Sequence, residues 1–232
     1  MKKLLLGLNL ALVVLLSCSC VGETAEITEN DSIFPTAESY NYVESDNLTE
    51  LRFDMTLWEY TTRFNSMNSD LQNSMQLGIS MTDWMVLEEG KVDESGVEYD
   101  YYYYNSGQVV LTATVETKSQ QIMNLGCGTT VEQFESSEET QKNILTMCGI
   151  MSAVAGGYNA DSVEFFSNLF LDTFDSRENS FWYQDSMYIL TVDEGESDAE
   201  STLLFRTIPV GEELREQWSI ADYKTFYNNN KL

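Results

Sequence analysis

Histidine is absent from the 232 residues. Its absence excludes a Ser-His-Asp or Cys-His nucleophile pair, a His-ligated zinc and a histidine pH switch. Bases are scarce as well, with 12 Lys+Arg against 38 Asp+Glu and a formal net charge of −26. Such a field repels nucleic-acid phosphates and anionic lipid head groups, so no nucleic-acid partner is expected. The chain contains no GxSxG, Ser-x-x-Lys or Walker lysine motif. Gly126-Cys127-Gly128 starts like a dinucleotide fingerprint, but Val131 stands where its third glycine belongs. Glu132 and Glu135 would meet phosphates with like charge, and no cofactor is expected.

Against these absences stand 43% hydrophobic and 12% aromatic residues, enough for a packed core. The N-terminus opens with Lys2 and Lys3, and an apolar run follows from Leu4 to Leu16, interrupted only by Gly7 and Asn9. As a helix the run would cover about 20 Å of a hydrocarbon core about 30 Å thick, too short to span it. That is the length of a signal-peptide apolar segment. It ends in Leu15-Leu16-Ser17-Cys18, which resembles the lipobox of bacterial lipoproteins. The resemblance implies that residues 1–17 are removed and that Cys18 carries a diacylglyceryl group, anchoring an extracytoplasmic protein to the cell membrane. Cys20 fits less well, because Ser17 would occupy the aliphatic position. The alternative is a plain secretory signal. Acyl chains contribute about 0.8 kcal/mol per buried methylene, so two or three suffice without a membrane-crossing helix. No segment after Cys18 reaches the length of such a helix.

Residues 18–47 are acidic and rich in Thr, Ser and Asn, which predicts a flexible, self-repelling tether. Residues 48–232 form the single expected domain. Thr56-x-x-Glu59 fits a capping box ahead of Leu57, Tyr60, Phe64, Met67 and Leu71, an apolar face at helical spacing. Four strand-like runs follow, Trp84–Leu87, Val97–Tyr104, Gln108–Val115 and Gln121–Leu125, separated by turn residues. Helices are predicted from Ser136-x-x-Glu139 to Gly156-Gly157 and from Ala160 to Phe174. Strands over Phe181–Val192 and Ser201–Ile208 and a short helix within Glu212–Tyr227 complete the chain. That order predicts an α+β fold, an antiparallel β-meander sheet with helices packed on one face.

Cys127 and Cys148 lie 21 residues apart, and in an exported chain they are either disulfide partners or two buried thiols. Closing that loop would contribute about 3 kcal/mol. The Asp193–Glu200 loop and Asp93, Glu94, Glu98 and Asp100 are the densest carboxylate groups. Neither has EF-hand spacing, and solvated hairpin tips explain them, with weak calcium binding as the alternative. Tyr99, Tyr101, Tyr102, Tyr103 and Tyr104 are the most unusual run. On a strand, Tyr101 and Tyr103 face one way and Tyr102 and Tyr104 the other. They form either a surface suited to sugar stacking or protein contact, or cross-strand packing beneath the helices.

The functional expectation is a lipid-anchored, non-catalytic binding or interaction module with a protein or glycan partner. The alternative is an extracytoplasmic, glycosidase-like hydrolase working with a carboxylate pair, chemistry that needs no histidine.

Overall fold

The computed structural model describes residues 33–44, 51–176 and 179–231. The expected signal peptide and lipobox, Cys18 and the first part of the expected tether lie outside the described residues. Within them the fold is α+β, with ten strands in one sheet that is antiparallel apart from a single parallel pair.

Strand β1 (Tyr42–Glu44) pairs with β2 (Leu51–Thr56), which runs directly into helix α1 (Leu57–Asp70). Thr56 makes that junction: its hydroxyl accepts from the Glu59 N–H, and its own N–H donates to the Glu59 carboxylate at 2.8 Å. This is the capping box read from the sequence. The meander follows as β3 (Met85–Val92), β4 (Glu98–Asn105), β5 (Val110–Glu116) and β6 (Gln121–Thr130). Helices α2 (Val131–Glu135), α3 (Glu138–Gly156) and α4 (Val163–Asp175) come next, then β7 (Ser180–Tyr183), β8 (Ser186–Asp193) and β9 (Thr202–Pro209). Helix α5 (Glu212–Trp218), β10 (Ala221–Asp222) and α6 (Tyr223–Lys231) end the chain.

The sheet order is β10-β7-β8-β9-β6-β5-β4-β3. Strand β6 is its hub. One edge pairs with β5, and the other is shared between β9, along residues 125–130, and β2, near residues 121 and 122. Alternation assigns the two faces. Leu111, Ala113, Val115, Leu125, Cys127, Phe205 and Tyr188 point to the helices and are buried. Thr112, Thr114, Asn124, Gly126 and Arg206 point the other way.

Helix α3 is buried from Ile144 to Gly156 except at Thr146, because the sheet, α1 and α4 pack around it. A side chain at position 149 would meet the Val163 carbonyl 2.5 Å away, so Gly149 permits the close approach of α3 to α4. The layer beneath α4 is aromatic: Phe166 and Phe170 lie against Tyr188, and Phe134 and Phe170 against Phe205.

Several features depart from expectation. The cap of α3 is Ser137, whose hydroxyl accepts from the Thr140 N–H, whereas Ser136 closes α2. The expected tether is in part a structural element. Phe34 is buried among Phe165, Tyr183 and Tyr227. Asn41 donates to the Ala155 carbonyl at 2.7 Å, and the Glu38 N–H donates to the Gly157 carbonyl at 2.9 Å. Those carbonyls are the acceptors that a helix end leaves unsatisfied, which is why a polar segment is ordered there. The single strand expected over Phe181–Val192 is a hairpin, broken where Gln184 takes φ +55°. Finally, the helices do not all share one face. Leu214 and Trp218 of α5 line a pocket with Arg52, Met123, Asn124 and Arg206, on the side opposite α3.

Candidate functional site

The face away from α3 is concave. The β3–β4 hairpin curls over it far enough for Leu87, Glu88 and Asp93 to share one lining with Leu204 and Arg206 of β9, three strands from β4 along β5 and β6. Beneath the hairpin opens a cleft of about 600 Å³, lined by Tyr99 and Tyr101 on one wall, Thr112, Thr114 and Asn124 on the floor, and Arg206 on the other wall. That volume lies within the range of small-molecule sites, about 300–1,000 Å³. Gly126 helps to keep the floor low, since a Cβ there would collide with the Thr112 hydroxyl and approach Leu204 to 3.0 Å.

The strand register splits the tyrosine run as alternation requires. Tyr101 is opposite Thr114 and Tyr103 opposite Thr112, all on the concave face, with Tyr99 two residues earlier on the same face. Tyr102 and Tyr104 face the helices and pack on the core, Tyr104 with its ring 6.4 Å from Trp84. Burial, with Asp100 and Glu89 nearby, pushes the Tyr102 hydroxyl up. Thus Tyr99 and Tyr101 line the cleft, Tyr103 sits beside it with its hydroxyl on the Met85 sulfur, and Tyr102 and Tyr104 are structural.

Polar groups converge on the same space. The Asn124 amide donates to the Thr114 hydroxyl at 2.9 Å, and both residues line the cleft. Arg206 is half-buried in the middle of the sheet, and among the described residues no carboxylate pairs with it. Burial lowers the pKa of its guanidinium, opposed only by Tyr101. The acids of the cleft are already engaged. Glu88 pairs with Lys91 at 3.4 Å. Burial works to raise the Asp93 carboxyl but is outweighed by hydrogen bonds from the Ser95 hydroxyl and the Val97 and Ser95 N–H groups, with Arg52 adding to the lowering. Asp93 is therefore an ionised turn residue, the opposite of what a general acid requires.

Among the described residues the carboxyl that is raised, Asp175, lies at the end of α4, outside the cleft lining. Asp193–Glu200 is exposed throughout. No group of three or more His, Cys, Asp or Glu side chains able to hold a metal occurs among the described residues.

Cys127 on β6 and Cys148 on α3 are brought together in the core as free thiols that hydrogen-bond to one another. Burial pushes the Cys148 thiol well up, reinforced by Cys127. Cysteines in that state are poor nucleophiles.

Sequence reasoning singled out Tyr99 and Tyr101 but not Thr112, Thr114, Asn124 or Arg206. A trace of Arg206 was present, as a lone base on the outward register of a strand in a chain poor in bases. Its position opposite Gly126 is a long-range pairing that only the fold supplies.

Neither a family model, nor a curated protein, nor a solved structure matches this chain. Among the described residues no helix is long and apolar enough to cross a membrane.

Proposed function

We propose that this protein is a lipid-anchored, extracytoplasmic binding module, held to the membrane through Cys18, whose concave sheet face takes a saccharide. The observation that carries the reading is the convergence of Tyr99 and Tyr101 with Thr112, Thr114 and Asn124 on one cleft of about 600 Å³. The faces of tyrosine rings suit the C–H face of a pyranose, while hydroxyls and an amide suit its hydroxyls. The hydrolase alternative has less support. It needs a protonated carboxyl opposite a second carboxylate, and the cleft offers Asp93, held ionised by its own turn, and Glu88, paired with Lys91.

Two experiments test the proposal. Intact mass of the native protein extracted in detergent should correspond to cleavage before Cys18 plus a diacylglyceryl group. An unlipidated soluble product removes the anchor. The full chain in detergent, titrated with a panel of oligosaccharides, should bind members that the Tyr99→Ala/Tyr101→Ala variant does not. Binding that survives loss of both rings removes the cleft from the reading.

A further inference from the structure

Arg206 stands out within the cleft. The molecule carries only 12 Lys+Arg, yet one of these bases occupies the middle of the sheet, on β9 between β6 and β8, where it lines the cleft. A guanidinium withdrawn from water needs a carboxylate or a set of acceptors to offset its lost hydration. Arg206 has neither among the described residues. In the other half-buried case, Arg215, the requirement is met: Nη2 faces Asp185 at 3.4 Å, Nη1 donates to the Gln184 carbonyl, and the guanidinium lies over the Trp182 ring. Among the described residues Arg206 therefore has no partner, and it lines the cleft on one side and the pocket beside α5 on the other.

Resting on the saccharide reading above, we propose that the cleft selects saccharides bearing a carboxylate, with the acid group seated on the Arg206 guanidinium and the sugar ring against Tyr101 and Tyr99. The fork of an arginine matches a carboxylate in two parallel hydrogen bonds, a geometry that lysine does not offer. The Tyr101 hydroxyl lies close enough to Arg206 to interact with its charge, so stacking surface and anion seat are neighbours, as a uronic acid requires. The acids lining the cleft do not cancel the seat, because Glu88 pairs with Lys91 and Asp93 is bound into its turn facing Arg52. The net charge of −26 acts over a longer range and is screened beyond about 8 Å at physiological ionic strength.

The test uses the full chain in detergent and calorimetric titration with oligomers of galacturonic and glucuronic acid, their neutral galactose and glucose counterparts, and acetate. The wild type should prefer the uronates by tenfold or more over the neutral oligomers and should not respond to acetate at equal concentration. Arg206→Gln should abolish the preference while leaving neutral binding in place, and Arg206→Lys should retain part of it. Because the guanidinium has no partner among the described residues, the melting temperature of Arg206→Gln should equal or exceed that of the wild type. A Gln variant that unfolds would mark the residue as structural and overturn the proposal. Equal binding of acidic and neutral oligomers by the wild type also overturns it but leaves the saccharide reading standing, as does a preference that persists without Arg206. Acetate competing as well as a uronate removes the sugar's share, and no binding by any oligomer defeats both readings.

Discussion

Burial, partial at an acid and complete at a pair of thiols, sets the chemistry of these groups. The Asp175 carboxyl, largely exposed at the end of α4, is pushed up by its partial burial and then by Asp172, one helical turn earlier, while Lys231 pulls it down. A raised acid pKa means that the folded state favours the protonated form. The site is therefore neutral to stability below the ordinary carboxylate range and costs stability as pH rises through the folded value. Asp175→Asn should melt above the wild type at neutral pH, with the gain vanishing below about pH 4, as calorimetry over that range would reveal. Cys127 and Cys148 show burial acting on a pair that has no solvent to react with. Alkylation should leave both untouched in the native protein and label both after unfolding without reductant. Labelling that requires prior reduction would establish instead the disulfide that their spacing suggested. The tyrosine run shows how far residue-level reading reaches. Alternation separated Tyr101 and Tyr103 from Tyr102 and Tyr104 correctly, but which pair faces the helices depends on β5 and β6.

Elements were legible where their signals are local. Thr56 and Glu59 announce the start of α1, and Gly157, left-handed at φ +76°, stops α3. The meander follows its turn residues, as at Gly107, whose N–H bonds to Asn105 at 2.8 Å. Elements were missed where the signal comes from a distant partner. Strand β1 and the segment before it read as tether because their composition is polar, and they are ordered because Asn41, Glu38 and Ser39 satisfy the carbonyl end of α3. Asn41→Ala should accordingly cost about 1–3 kcal/mol in denaturant unfolding, since the Ala155 carbonyl would be left buried without its donor. A flexible tether would show no change. The edge strand β3 was expected to be shorter. It extends past a bulge where Gly90 takes φ +61° and donates its N–H to the buried Asp100 carboxylate at 2.9 Å.

For the whole molecule, charge is the governing quantity. The basic residues are too few to offset 38 acids, so the compact state carries self-repulsion that salt should relieve. The melting temperature should rise as sodium chloride is raised from about 0.02 to 0.5 M, whereas a neutral protein of this size would show little change. The α+β architecture itself followed from the order of periodicities, because each helix or strand carries its own hydrophobic repeat. The side of the sheet that α5 occupies did not, since Leu214 and Trp218 give that short helix an apolar edge without indicating which face receives it.

The sequence by itself determined what depends on residues a few positions apart or on composition: the signal-like N-terminus, the Thr56–Glu59 cap of α1, the alternation within β4, the acidity, and the exclusion of histidine chemistry. Tertiary structure alone decided what depends on strand pairing across long stretches of chain. Gly126 and Arg206 meet because β6 pairs with β9, and Tyr101 and Thr114 meet because β4 pairs with β5. A cleft is a property of such meetings. Short-range periodicity specifies which face of a strand is polar, and only closure of the sheet decides which polar faces share a space.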